Sequence, residues 1–227
     1  MLQSEPSILW PQVVKFIGQL NHDIRNHLNA IELQSAFLGE IVEAGEAKDE
    51  VRRLREMTAE MGGQLQRLSG QLSKIQLNTM PYPASEFVED LRAKITADHP
   101  EQTQNVEWQL SLGAESIEID PQLLLDAFAE LFSNAFAHQR GEGPLVFEAR
   151  ADGTLLSFTL REPKSQPVET NENWGGRPLT QLRHGHYALG LFRARSIFEA
   201  HHGTFHARFD PPLSVLTTTV VLPRASA

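Results

Sequence analysis

Two long stretches of helical periodicity occupy the first third of this 227-residue chain and restrict the folds open to it. In the first stretch, apolar residues recur mostly at intervals of three, four or seven, which is typical of a helix with one buried face. These residues are Ile17, Leu20, Ile24, Leu28, Ile31, Leu38 and Val42. The pattern predicts a helix from about residue 12 to about residue 43, and Gly45 would end it because the residue after a helix often needs a positive φ.

The second stretch has a clearer heptad pattern, with one polar interruption at Thr58. Its apolar residues are Val51, Leu54, Met61, Leu65, Leu68, Leu72 and Ile75. The pattern predicts a helix from about residue 47 to about residue 77, so the two helices form a hairpin. A hairpin alone does not bury both apolar faces, and we therefore expect a homodimer through residues 12–78, with two hairpins in a four-helix bundle. An intramolecular coiled-coil spacer is the alternative on pattern alone.

The periodicity changes after residues 78–85, which read NTMPYPAS. Pro81 and Pro83 interrupt a helical pattern, so we place a linker at 79–85. Beyond it, helical patterns are interspersed with alternating runs that predict antiparallel strand pairs, as in an α+β sandwich whose sheet is covered by helices on one face. We expect helices at about 86–97, 123–138 and 188–201, and strands at 106–112, 116–119, 145–150, 155–162, 204–208 and 213–222. The expected domains are an N-terminal lead at 1–11, the hairpin at 12–78 and the sandwich at 86–227.

Composition disfavours several functions. The formal net charge is −9, which argues against a nucleic-acid partner because phosphate contacts need a basic surface. The chain has no cysteine, so it has neither disulfides nor thiolate metal sites, as is usual for a cytoplasmic protein. No apolar run reaches the roughly 20 residues of a membrane span, and the N-terminus lacks a signal-peptide pattern. We therefore expect a soluble protein.

Polar side chains crowd one face of the first helix around His22. This residue lies two positions from both Leu20 and Ile24, so it is turned by about 200° from each of them and should face solvent or a partner. Asp23 is the next residue, and Asn26 lies one turn further along the same face. An exposed imidazole beside a carboxylate can act as a nucleophile, because the carboxylate orients one ring nitrogen while the other attacks. The alternative is an ordinary surface histidine.

A second polar group lies on the strongly predicted helix at 123–138. Glu130, Asn134 and His138 are four residues apart and lie close to one helical line. A carboxylate and a carboxamide that face one pocket can hold Mg²⁺ through oxygen ligands, and a nearby histidine can donate to a phosphate. The alternative is a polar helix edge without further function.

The string at residues 22–31, HDIRNHLNAI, resembles the phosphoacceptor box of bacterial two-component sensor histidine kinases. The resemblance implies that His22 is the phosphorylated residue and that Asp23 and Asn26 assist it. His27 stands where that family usually has proline, which often bends the helix. We therefore expect a straighter helix in this chain.

The second region resembles the GHKL-type ATP-binding domain that follows the hairpin in these kinases. Residues 130–138 are similar to its N box, which implies that Asn134 binds Mg²⁺, that Glu130 is the upstream polar residue and that His138 approaches the nucleotide. The segment 163–186 would be the ATP lid, in which Arg177 or Arg183 would contact phosphates.

The glycine motifs of that domain are only partly present. Leu-Gly-Leu at 189–191 resembles part of the G2 box, whose helix start brings the backbone at Gly190 to the triphosphate. The G1 box of the family is Asp-x-Gly-x-Gly, and its aspartate holds the adenine amino group. This chain has Glu-Pro-Lys-Ser-Gln at 162–166, so Glu162 could retain the acceptor, but both glycines are missing and Pro163 lacks an N–H.

The resemblance covers residues 12–222, with the boxes in the order of the family. It implies a cytoplasmic histidine kinase that uses ATP and Mg²⁺ to autophosphorylate His22 and passes the phosphoryl group to an aspartate of a response-regulator receiver domain. Asn134 and Glu130 favour this reading because they have no evident use without a metal-bound nucleotide. The altered G1 box favours a histidine phosphotransferase on a kinase-like scaffold that no longer binds ATP. A regulatory dimer without phosphotransfer is a third alternative.

Overall fold

The structure, a computed structural model, describes residues 9–43, 45–178 and 189–225. The chain divides into two compact units, Met1–Lys74 and Ile75–Ala227. Within the described ranges, no helix combines the length and the apolarity that a membrane crossing requires.

The first unit is a hairpin of two long helices, α1 (Trp10–Ile41) and α2 (Glu46–Leu72). α1 is continuous through His27, as expected from the missing proline. Gly45 precedes α2 with a φ of 144°, a value that favours glycine. α2 ends at Leu72 and not near residue 77, because Ile75 packs against the core of the second unit and does not continue the helix.

The buried face of α1 agrees with the predicted stripe at Leu28 and departs from it elsewhere. Its buried side chains are Asn21, Leu28 and Ser35, which are spaced by seven residues, and the buried side chain of α2 is the predicted polar interruption, Thr58. Of the predicted stripe, Leu20, Ile31 and Leu38 are each more than 40% exposed. The apolar stripe is wider than the contact between two helices, so part of it stays on the hairpin surface. Other exposed apolar side chains of this unit are Leu9, Phe16, Leu33, Phe37, Ile41, Leu54, Met57 and Met61.

The second unit is an α/β sandwich, and its element order follows the prediction. Its strands are β1 (Met80–Pro83), β2 (Val106–Ser111), β3 (Ser116–Ile119), β4 (Leu145–Asp152), β5 (Leu155–Pro163), β6 (Thr204–Asp210) and β7 (Val215–Pro223). Its α-helices are α3 (Ala84–Asp98), α4 (Pro121–Ala137) and α5 (Gly190–Ala200). β1 lies within the expected linker and pairs with β3 in a two-stranded sheet. Such an edge strand tolerates Pro81 and Pro83, which cannot donate to a neighbour.

The main sheet has the strand order β2-β4-β5-β7-β6. β2 runs parallel to β4, and the other neighbours are antiparallel. The sheet is therefore mixed. The parallel pair is possible because the chain between β2 and β4 includes α4, and parallel strands need such a long crossover. The predicted turn at Asp152-Gly153 is confirmed, since Asp152 pairs with Leu155 and Gly153 has a φ of 58°.

An aromatic core fixes α4 at the centre of the sandwich. Phe128 lies edge-on to four other phenylalanines with ring centroids 5.1–6.1 Å apart, a favourable geometry for aromatic pairs. Asp120 caps the helix, because its side chain accepts a hydrogen bond from the Leu123 N–H at 3.0 Å. The helix that carries Glu130 and Asn134 is therefore held rigidly against the sheet.

Candidate functional site

The structure brings His22, Asp23 and Asn26 together on the surface of α1. The side chains of His22 and Asp23 are 68% and 56% exposed. Nδ1 of His22 lies 3.3 Å from Oδ1 of Asp23 and 3.4 Å from Nδ2 of Asn26. Gln19 donates from Nε2 to the same Asp23 oxygen at 3.0 Å. The carboxylate is thus held beside the ring by a neighbour one turn earlier.

This geometry suits a histidine that attacks through Nε2. Both contacts of the ring involve Nδ1. In the tautomer in which Nδ1–H donates to Asp23, the lone pair of Nε2 is left for an electrophile. The positive charge that develops on the ring during attack is offset by the adjacent carboxylate.

Asn21 explains why His22 faces outward, and sequence reasoning missed it. Asn21 is buried, and its Nδ2 donates to the Leu65 carbonyl at 2.8 Å and to Oγ of Ser69. These bonds fix the rotation of α1 against α2 at this level of the hairpin. The next residue is turned by about 100° along the helix and leaves the interface. The seven-residue spacing of Asn21 from Leu28 is the sequence signal that could have identified it.

On α4, Glu130 and Asn134 meet each other and the start of α5. Asn134 donates from Nδ2 to Oε1 of Glu130 at 3.1 Å. A Cβ at Gly190 would overlap the Glu130 carboxylate, so this glycine lies directly against it. A carboxylate at the N-terminus of α5 is also favoured by the helix dipole. Three of the predicted nucleotide-binding residues are therefore adjacent.

His138 joins this region through its backbone. It is the C-cap of α4 and is exposed. Contrary to the prediction, it therefore does not continue the helical line of Glu130 and Asn134. The chain leaves the helix at this point because His138 has extended backbone angles, φ −114° and ψ 116°. Its carbonyl accepts a hydrogen bond from Nζ of Lys164 at 2.9 Å.

Glu162 lies in the interior at the end of β5. Its Oε2 is 2.7 Å from Nζ of Lys164, and the two side chains are only 6% and 5% exposed. Burial raises the pKa of Glu162 above its ordinary value, while the charges of Lys164 and Arg140 counteract that increase. Sequence reasoning missed Lys164, although residues two apart in a strand share a face.

The chain around Lys164 is held on two sides by backbone hydrogen bonds. Gly141 N–H donates to the Pro163 carbonyl at 2.8 Å, and Ser165 N–H donates to the Gln139 carbonyl at 2.9 Å. On the other side, Lys164 N–H donates to the Ser214 carbonyl at 2.8 Å. The resemblance predicts a glycine-rich turn after Glu162. The chain instead forms a short extended stretch that backbone hydrogen bonds join to the 139–141 segment and to Ser214.

The residues present fit Mg²⁺-ATP only in part. The Nδ2 of Asn134 is bonded to Glu130, and its carboxamide oxygen is the atom that would bind a cation. Within the described ranges, no three acidic or histidine side chains converge as a metal site would need, so phosphate oxygens would supply most ligands. Glu162, the expected adenine acceptor, is already bonded to Lys164. Among the lid arginines, Arg177 is exposed, and Arg183 lies outside the described residues.

The chain is similar to known proteins in its structure but matches none of them by sequence. No protein-family model and no curated protein sequence matches the chain. The crystal structure of full-length ShkA in complex with AMPPNP matches 94% of the chain with a TM-score of 0.71 and 17% identity. The chain spans 46% of the length of ShkA.

Two histidine kinase structures match with lower scores. AdeS of Acinetobacter baumannii matches 89% of this chain and 97% of its own with a TM-score of 0.52 and 16% identity. The catalytic domain of the histidine kinase ThkA matches 64% of this chain and 95% of its own with a TM-score of 0.51 and 14% identity. The predicted fold, a helical hairpin followed by a kinase-type α/β sandwich, is thereby confirmed.

Proposed function

We propose that this chain, whose fold is that of a histidine kinase core, carries a phosphoryl group on His22 and exchanges it with an aspartate of a response-regulator receiver domain. The observation that supports this most directly is the exposed imidazole whose Nδ1 lies 3.3 Å from the Asp23 carboxylate. A phosphoryl group that enters and leaves through a second protein needs such an accessible nucleophile.

In the transfer step, the lone pair of Nε2 attacks phosphorus and forms a P–N bond. The bond from phosphorus to the oxygen of the donor breaks, and the donor oxygen keeps that electron pair. Asp23 orients Nδ1–H and offsets the charge on the ring. Asn26, one turn further along the same helix face, would position phosphate or a hydrolytic water in a phosphatase step. In the reverse direction, a receiver carboxylate attacks the phosphorus of phospho-His22.

ATP with Mg²⁺ is one candidate donor. It is supported by the half-buried Asn134, whose carboxamide oxygen would bind the metal, and by the neighbouring Glu130 and Gly190. When bound, Mg²⁺ would neutralise charge on the phosphates. The second candidate donor is a phosphorylated receiver, which makes the chain a phosphotransferase without ATP. The ion pair of Glu162 and Lys164 favours this second candidate.

We also propose a homodimer through residues 12–78 in the cytoplasm. The exposed apolar side chains of the hairpin support it, among them Phe16, Phe37 and Ile41. Such residues are normally covered by a partner, and a second hairpin supplies a matching surface.

The phosphoacceptor is tested with two radiolabelled donors, [γ-³²P]ATP with Mg²⁺ and a panel of receiver domains phosphorylated from labelled acetyl phosphate. We expect acid-labile label on the chain from at least one donor and none on His22→Ala. His27→Ala is the matched control, since His27 is an exposed histidine of the same helix outside the cluster. Label that persists in His22→Ala, or no label from either donor, contradicts the proposal.

A further inference from the structure

We infer that Lys164 is an internal ligand of Glu162 that excludes a nucleobase from the second unit, so that the phosphoryl donor of His22 is a phosphorylated protein and not ATP. The inference about the donor rests on the function proposed above, whereas the role of Lys164 does not. Three features support the exclusion of a nucleobase: the chemistry by which a base is recognised, the contacts that hold Lys164, and the contacts that the neighbouring polar residues make with each other.

The exocyclic amino group of adenine is a donor, so a site that recognises it needs an acceptor that the base can reach. The Oε2 atom of Glu162 already accepts from the Lys164 ammonium at 2.7 Å, and neither side chain is more than 6% exposed. A charged ammonium is a stronger hydrogen-bond donor than a neutral amine. It is also tethered two residues away, which gives it a high effective concentration that free nucleotide must exceed.

Displacing Lys164 would break more than one interaction. Its Nζ also donates to the His138 carbonyl at 2.9 Å, which links the end of β5 to the end of α4. Its backbone is bonded to Ser214 on one side, and its neighbours are bonded to the 139–141 segment on the other. A Cβ at Gly141 would lie 2.8–2.9 Å from the backbone of Pro163 and Lys164, so the two segments are in close contact.

Arg140 strengthens this closed arrangement. Its guanidinium donates to the carbonyls of Gly141 at 3.0 Å, Pro163 at 3.4 Å and Gly143. Its positive charge also acts on the Glu162 carboxylate. A nucleobase that took the place of Lys164 would leave the lysine buried without its partner, which we expect to weaken binding by about 10²-fold or more.

Glu130 and Asn134 have a use that does not require a nucleotide. They are hydrogen-bonded to each other on α4, and the space beside Gly190 is filled by the Glu130 carboxylate. The pair therefore joins α4 to the first turn of α5. A glycine that accommodates a carboxylate of its own protein serves packing at that position.

The inference is tested by isothermal titration of the full chain with ATP and ADP in the presence of Mg²⁺. We expect no binding tighter than about 1 mM in the wild type, and affinity at least tenfold higher in Lys164→Gly, which frees the Glu162 acceptor. Lys94→Ala is the matched control, because Lys94 forms more exposed ion pairs in the same unit, and it should bind as the wild type does.

Micromolar binding of ATP by the wild type overturns the inference whatever the variants do. Unchanged affinity in a folded Lys164→Gly overturns the role assigned to Lys164. Lys164→Ala, which also lacks a donor at this position, replaces Lys164→Gly in this comparison if circular dichroism shows that the glycine variant is unfolded. Failure of His22 to accept label from any receiver would refute the proposed function but would leave the titration result intact.

Discussion

Removing the Lys164 charge should destabilise the second unit far more than removing an exposed lysine. In Lys164→Met, Glu162 loses a cation whose Nζ lies 2.7 Å from Oε2 in an environment that is about 95% buried. At an effective dielectric constant of 20, the Coulomb attraction at that distance is about 6 kcal/mol. Most of that attraction offsets the lost hydration of the two ions, so the measurable effect is the cost of one unpaired buried charge. We expect a loss of about 3–5 kcal/mol in the free energy of unfolding.

A double-mutant cycle isolates the pair. Lys164→Met combined with Glu162→Gln removes both charges and should recover most of the loss, because replacing both partners of a buried ion pair is often close to neutral. Urea unfolding is followed by tryptophan fluorescence in a Trp10→Phe background, so that the signal comes from Trp108 and Trp174 of the second unit. A single domain of this size is treated as two-state, but the two units together are not.

The matched control is Lys94→Met. Its Nζ lies 3.5–3.7 Å from two carboxylates that are each 50% exposed, and we expect a loss below about 1 kcal/mol. Equal losses in Lys164→Met and Lys94→Met would refute the assignment of a buried ion pair at the end of β5. A double variant as unstable as Lys164→Met would show that the loss comes from packing and not from charge.

The same variant should be sensitive to pH in a defined direction. Burial raises the pKa of Glu162, and Lys164 opposes the increase, so the pKa rises further without the lysine. A carboxyl whose pKa is higher in the folded state than in the unfolded state stabilises the fold at low pH, and this contribution is lost as pH rises through the folded-state pKa. The deficit of Lys164→Met should therefore be smallest near pH 5 and should grow towards pH 8. The double variant should lack this trend.

Three further substitutions test other parts of the structure. Gly70→Ala should raise the free energy of unfolding of the hairpin by about 1 kcal/mol, measured by circular dichroism, because a Cβ there meets nothing within 4 Å; an unchanged transition would contradict a solvent-facing helical position. Asn21→Leu removes the two hydrogen bonds of the amide but also a buried Oδ1 without a partner among the described residues, so it should change the free energy of unfolding by less than about 1.5 kcal/mol. It should nevertheless slow the labelling of His22. Labelling at the wild-type rate would show that the amide does not set the rotation of α1. Gly190→Ala should destabilise the second unit by about 1–3 kcal/mol in urea because its Cβ displaces the Glu130 carboxylate, and a neutral result would place that carboxylate elsewhere.

Periodicity predicts the two long helices and the order of the sandwich elements because each depends on contacts near in sequence. It does not predict which face of α1 meets α2. The apolar stripe through Leu20 and Ile31 indicates burial against some partner, while the contact within the hairpin is made by Asn21 and by Leu28, the one residue of the stripe that is buried. A hydrophobic pattern does not distinguish the partner helix of the same chain from that of another copy, so the rotation could not be predicted.

The same distinction applies to the candidate site. The contacts of His22 with Asp23 and Asn26 lie within one turn of helix and follow from helical geometry. The Glu162–Lys164 pair is also local in sequence, but its burial depends on the distant segments around Arg140 and Ser214. Local spacing therefore predicts which polar groups meet, and long-range packing decides whether a ligand can reach them.

Thermal unfolding tests whether the second unit, whose polar groups are bonded to each other, binds a nucleotide. A ligand that binds only the folded state at 100 times its Kd stabilises it by about 2.7 kcal/mol. For a unit of this size, that corresponds to a rise in Tm of roughly 5–10 °C. With Glu162 bonded to Lys164 and Glu130 bonded to Asn134, we expect 1 mM ATP with Mg²⁺ to change the Tm of the wild type by less than about 1 °C. A rise of several degrees would mean that the nucleotide binds despite the ion pair, and it would contradict the inference that Lys164 excludes a nucleobase from the second unit.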